Sequence, residues 1–144
     1  MKTLATIGYE SATQDDVIGR LKRAGVEVLI DVRAVAASRR AGFSKRVLAA
    51  SLEAAGVGYV HLRQLGTPKA GRDAARHGRI AEMHAIYEAH LRDPAAQLEL
   101  AKAREIARER KAALLCYEAD AGRCHREIVA ERICSELKCE VENL

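Results

Sequence analysis

Apolar positions along the chain alternate between short β-like runs and longer stretches at helical spacing, with glycine at several of the changeovers. Leu4-Ala5-Thr6-Ile7 reads as a first strand that ends at Gly8-Tyr9-Glu10. A polar, helix-starting segment over 11–16 leads to Val17, Ile18, Leu21 and Ala24 on one helical face, with Gly25 as the stop. Val26-Glu27-Val28-Leu29-Ile30 predicts a second strand ending at Asp31-Val32-Arg33. After a basic loop over 34–43, Ser44 reads as the N-cap of a helix carrying Val47, Leu48 and Leu52, which Gly56 closes. Val57-Gly58-Tyr59-Val60 predicts a third strand ending at His61. This alternation implies parallel strands joined by right-handed crossovers.

The middle of the chain changes character. Residues 65–78 hold Gly66, Pro68, Gly71 and many cations, which predicts a long exposed loop of the kind that often contacts substrate. Ile80, Met83, Tyr87 and Leu91 then share one helical face, and Pro94 interrupts it to open a second helix over 94–110. Ala112-Ala113-Leu114-Leu115-Cys116-Tyr117 is apolar on both faces, so it predicts a central fourth strand. A turn over 118–123 leads to a helix with Val129, Ile133 and Leu137 as its core stripe, and the tail over 139–144 fits an edge strand. The expected fold class is α/β: a three-layer α/β/α arrangement around a mainly parallel sheet of four or five strands, as one domain over 1–144.

Composition narrows the class. With 49% hydrophobic, 31% charged and 3% aromatic residues, the chain reads as globular, with a core of Leu, Ile, Val and Ala. No run approaches the roughly 20 apolar residues of a membrane span, and the N-terminus lacks the apolar stretch of a secretion signal. A soluble, cytoplasmic protein with no membrane partner is expected. In that compartment the four cysteines are expected to be free, catalytic or metal-bound, not paired in structural disulfides. The net charge of +4 comes from interleaved charges, so phosphate or nucleic-acid partners are permitted but not demanded.

Candidate chemistry gathers at one place. In open parallel sheets, ligands bind beyond the carboxyl ends of the strands. Tyr9 and Glu10 follow strand one; Asp31 and Arg33 follow strand two, with Ser38, Arg39 and Arg40 in its loop. His61 follows strand three, and Glu118, Asp120, Arg123, Cys124, His125 and Arg126 follow strand four. The last group occupies a turn and a helix start, where unpaired backbone N–H groups and the helix dipole favour anions. Arg126 would add a bidentate grip, Cys124 would be a thiol of depressed pKa, and Glu118 a proton-transfer or ribose-binding carboxylate. Plainer structural roles compete with each of these. Asp120 also suits a helix cap, and Cys116 suits a small buried strand position. Cys124 and His125 suit core contacts, while Arg126 and Glu118 suit an internal ion pair.

Gly8-Tyr9-Glu10, the run Asp31-Val32-Arg33-Ala34 with Ser38-Arg39 and Gly42-Phe43-Ser44, Tyr59 and His61 before Leu65-Gly66, and Cys116-x-Glu118-x-Asp120-x-x-x-Cys124-His125-Arg126 occur in this order. Together these motifs resemble the domain-of-unknown-function 488 family over nearly the whole chain. The resemblance supports the fold and the location of a site, and implies no particular reaction. Ala36, Ala41 and Ala121 stand where the family's pattern has proline, which implies looser loops with the functional groups retained.

The leading expectation is an enzyme for a phosphate-bearing or nucleotide-like substrate, including a base within nucleic acid. Arg33, Arg39 and Arg126 would hold the anion and Glu118 or Glu10 would move a proton, with His61 or His125 as alternative carriers. Tyr9, Asp31, Ser38 and Asp120 complete the expected binding set. Thiol or sulfur chemistry at Cys124 is the alternative. Leu29-Ile30-Asp31-Val32-Arg33 is similar to a strand of rhodanese-like domains, although those domains place their cysteine within an amide-lined loop. A metal site of Cys116, Cys124 and His125 is a further alternative; the chain lacks the close Cys-x-x-Cys spacing of structural zinc, so no metal or other cofactor is assigned. A non-catalytic nucleic-acid binder is the last alternative, with basic loops over 33–45 and 69–79 but few aromatic side chains for stacking.

Overall fold

The computed structural model describes residues 2–144. Strands β1 (Thr3–Gly8), β2 (Val28–Asp31), β3 (Gly58–His61), β4 (Ala112–Cys116) and β5 (Glu140–Asn143) form one sheet in the order β3-β2-β4-β1-β5. Every pairing is parallel. β4 is central, as its apolar run predicts, and all five of its residues are buried. The register sets Gly8 opposite Cys116, and Asp31 opposite both Leu115 and His61. The carboxyl ends of β1 to β4 therefore finish along one edge.

Two layers of helices cover the sheet. On one face, Ala5, Ile7, Leu29, Ala113 and Leu115 pack against Val17 and Leu21 of α1 (Gln14–Arg23) and Leu48 and Leu52 of α2 (Lys45–Ala54). On the other, Leu4, Val28, Ile30 and Leu114 meet α4 (Ile80–Leu91), α5 (Pro94–Glu109) and α6 (Arg126–Leu137) through Tyr87, Leu100, Val129 and Ile133. Odd and even strand residues thus enter different cores, the period of two that a sheet buried on both faces requires. Thr13 caps α1 in a reciprocal box with Asp16. Ser44 does occupy the N-cap of α2, but its hydroxyl leaves the helix and bonds both backbone groups of Ser38 instead.

The expected loop over 65–78 is mostly helical. A 3₁₀ turn (Arg63–Leu65) leads to α3 (Lys69–Arg76), which packs on α4. The buried face of α3 consists of Gly71 and Ala74, small residues that carry little hydrophobic signal while allowing close helix approach. The tail does form the edge strand β5, fully exposed and bearing Glu140 and Glu142. Charge on such an edge discourages pairing with other chains. Among the described residues no helix is long and apolar enough to cross a membrane.

One close approach ties the sheet to the loop after β4. A Cβ on Gly8 would lie 1.8 Å from the carbonyl oxygen of Glu118, so no other residue fits without moving that loop. Gly8→Ala is expected to destabilise the protein by about 1–3 kcal/mol in chemical denaturation. Gly19→Ala, whose Cβ would meet only the mobile end of Arg23 within α1, should raise stability by roughly 0.5–1 kcal/mol. Equal effects at the two positions would contradict the packing described.

Candidate functional site at the carboxyl edge of the sheet

The chain leaving β2 is held almost entirely by side chains. Asp31, fully buried, accepts from the Arg33 backbone N–H at 3.1 Å and from Arg33 Nε at 2.9 Å and Nη2 at 2.7 Å. Arg33 Nη1 donates to the Tyr9 hydroxyl at 3.1 Å and to the Phe43 carbonyl at 2.7 Å, and the Tyr59 hydroxyl donates to Asp31. Burial works against the Arg33 charge, but the hydrogen bonds and charge of Asp31 prevail and hold its pKa above the ordinary value. Burial, reinforced by Asp31, raises the Tyr59 pKa. His61 Nε2 donates to the Arg33 carbonyl at 2.8 Å, and His125 Nε2 donates to the Val32 carbonyl at 2.6 Å.

Beside this knot lies a cleft of about 310 Å³. Tyr9, Arg33 and Val35 form one wall, and Cys116, Glu118, Cys124 and His125 lie along the β4 side. The far side comes from Thr67, from Arg72, Ala75 and Arg76 of α3, and from Met83 of α4, while Ala34, Tyr117 and Arg123 complete the lining. Arg72 Nη1 donates to the Thr67 carbonyl, and Arg76 pairs with Asp73. Arg123 is exposed and forms no ion pair among the described residues.

The cysteines depart from expectation. Cys116 and Cys124 form a disulfide, and so do Cys134 and Cys139, leaving no free thiol among the described residues. Cys116 ends β4, and the turn carrying Glu118 to Arg123 folds back to bring Cys124 onto it. Cys134 and Cys139 face each other across the left-handed cap at Lys138. Their spacings reflect local chain reversals, which compartment arguments do not register.

Around the first pair, the His125 Nδ1 atom lies 3.8 Å from Cys116 Sγ and 3.5 Å from Cys124 Sγ. Since Nε2 carries the proton shared with Val32, Nδ1 presents a lone pair to both sulfurs. Burial lowers the His125 pKa to about 4, keeping the ring neutral near pH 7. Glu118 Oε2 lies 3.1 Å from Cys116 Sγ and would accept from that thiol in the dithiol state. Burial, aided by the Glu10 charge, raises the Glu118 pKa.

The remaining expected residues have structural employment. Arg126 is 1% exposed and donates to the Glu118 and Ala119 carbonyls, so it clamps the loop and is absent from the cleft lining. Its expected ion pair with the Glu118 carboxylate is replaced by contact with the Glu118 backbone. Glu10 accepts from the Ala119 N–H, and Asp120 caps the 3₁₀ turn through the Gly122 N–H. Ser38 accepts from the Arg40 N–H, whereas Arg39 is exposed and does not line the cleft. His61 also lies outside that lining. The anion grip expected from Arg33, Arg39 and Arg126 is therefore not assembled. Arg72 and Arg76 fall in the basic stretch expected over 69–79 but were not singled out; both line the cleft, and their separation by four positions would have marked one helical face had α3 been recognised.

The fold and cleft define a parallel α/β protein with its candidate site at the carboxyl ends of the strands. The chain belongs to the DUF488 family: the family profile described as "Domain of unknown function DUF488" matches residues 13–133. No match was found among curated proteins or among solved structures.

Removing Arg33 would leave the Asp31 carboxylate buried and unpaired, so Arg33→Ala should cost about 3–5 kcal/mol in denaturant unfolding. A stability change near zero would mean that the knot does not hold the edge. With the disulfide intact, His125 gives a pH dependence of definite sign. Its folded pKa is about 4 against 6.5 when exposed, so its contribution is complete above 6.5 and falls as pH drops towards 4. The loss is on the order of 3 kcal/mol. NMR titration of the His125 ring should give a midpoint near 4, and a value near 6.5 would refute the assignment.

Proposed function

We propose that the cleft carries out thiol–disulfide chemistry, with the Cys116–Cys124 pair exchanging two electrons with an anionic thiol or disulfide. The supporting observation is the convergence of both sulfurs, the His125 Nδ1 atom and the Glu118 carboxylate along one cleft. Glu118, held protonated to higher pH than an exposed carboxyl, is suited to move a proton beside Cys116. Arg72, Arg76 and Arg123 provide positive charge along the rim, which fits substrates bearing carboxylate or phosphate.

In the reductive direction, an incoming thiolate attacks Cys124 Sγ and the bond to Cys116 breaks. Cys116 departs as thiolate and receives the Glu118 proton. A second substrate thiolate then displaces Cys124 from the mixed disulfide. The substrate disulfide leaves and two electrons have entered the protein; of the two protons that the substrate thiols gave up on forming thiolates, one restores Glu118 and the other ends on Cys124. Cys124 immediately precedes His125, the N-cap of α6, where the helix dipole eases its departure as a thiolate before that proton arrives. The phosphate-bearing substrate expected from the sequence survives in this reading as a substrate class, held by different arginines.

Titration in glutathione buffers, followed by alkylation and mass spectrometry, should show one two-electron transition assigned to Cys116 and Cys124. Glu118→Gln should slow the step by about 10²-fold near neutral pH. Arg72→Ala with Arg76→Ala should slow reduction by glutathione more than reduction by neutral 2-mercaptoethanol. A pair inert to both thiols would overturn the proposal, and equal losses with both thiols would remove the anionic substrate.

A further inference from the structure

The same four side chains have a second competence once the sulfur–sulfur bond is open. We propose that the dithiol state is a binding site for a thiophilic divalent cation of the zinc type, with Cys116, Cys124 and His125 as ligands. The site's fourth position would face the cleft beside Glu118. This inference rests on the reducibility that the thiol reading requires, and on geometry that electron exchange does not need.

Three observations carry it. First, Nδ1 of His125 stands 3.8 Å and 3.5 Å from the two sulfurs. A tetrahedral ion with Zn–S near 2.3 Å and Zn–N near 2.0–2.1 Å sets such atoms roughly 3.5 Å apart. Only the sulfurs must separate, and His125 can stay where it is. Second, the Cα atoms of Cys116 and Cys124 are 7.3 Å apart, whereas those of Cys134 and Cys139 are 4.6 Å apart. Disulfides usually span about 4.4–6.8 Å, so the backbone holds Cys116 and Cys124 wider than a direct bond ordinarily needs. An ion between the sulfurs would use that width.

Third, His125 already has the bonding that metal-bound histidines have. Its Nε2–H is fixed on the Val32 carbonyl at 2.6 Å, which sets both the tautomer and the ring plane and leaves Nδ1 free to coordinate. Charge also balances. Two thiolates buried alone would be costly, but two thiolates and a neutral imidazole around a dication form a neutral set. On binding, two thiol protons leave and no electrons move. The remaining position opens to the cleft, where Glu118 Oε2 lies 3.1 Å from Cys116 Sγ. Three protein ligands and an accessible fourth position are the pattern of reactive zinc sites, in contrast to closed structural ones.

The test uses the full chain, reduced with a phosphine under anaerobic conditions, with four free thiols verified before cobalt(II) is added. One equivalent should produce thiolate-to-cobalt charge transfer and the visible bands of tetrahedral cobalt, and zinc should bleach both. Two protons should be released per metal. Zinc should protect Cys116 and Cys124, but not Cys134 and Cys139, from iodoacetamide, a readout that needs no variant. Cys116→Ser or His125→Gln should abolish the charge-transfer band or shift it, while Cys134→Ser with Cys139→Ser should leave it intact. Four free thiols without cobalt bands or protection would overturn the metal site and leave the thiol reading standing. A Cys116–Cys124 bond that resists every thiol and phosphine would overturn both.

Discussion

The structure turns on a buried ion pair whose hydrogen bonds are made within the fold. Two charges taken from water cost several kcal/mol each unless their hydrogen bonds are nearly complete. Asp31 and Arg33 meet that condition by recruiting Tyr9 from beyond β1, Phe43 from the connection to α2 and Tyr59 from β3. The same short segment offers two carbonyls that β-sheet pairing does not use, and His61 and His125 occupy them. One strand exit therefore gathers parts of four connections. The lone pair of His125 points at the sulfurs because its other nitrogen is committed to this knot.

Much of the frame was legible because each element has a local signature. The central position of β4 followed from an apolar run without alternation, and α5 followed from Pro94 at a first turn. The edge strand at residues 140–143 was also within reach. By contrast, α3 hid because Gly71 and Ala74 contribute shape and little hydrophobicity, while its cations imitate a loop. Backbone proximity at Gly8 was equally invisible, since nothing adjacent to it in sequence mentions Glu118.

The site was legible as a place and illegible as a division of labour. Counting polar residues at strand ends brought Tyr9, Arg33, Glu118, Cys124 and His125 to one cleft. The count could not distinguish an arginine that faces the cleft from one committed to the fold's own carbonyls. Arg33 donates to the Phe43 carbonyl, and both terminal nitrogens of Arg126 donate to the Glu118 and Ala119 carbonyls. Sulfur pairing was missed for a related reason. The turn from Glu118 to Arg123 decides it, and turn direction is a property of the folded chain.

The order of strands across the sheet bears on how the chain is made. β1 emerges first during synthesis, yet its two partners, β4 and β5, are the last strands to appear. The first strand must therefore wait, with both edges unsatisfied, while more than a hundred residues follow it. Contacts so distant along the chain slow folding and prolong exposure of sticky edges.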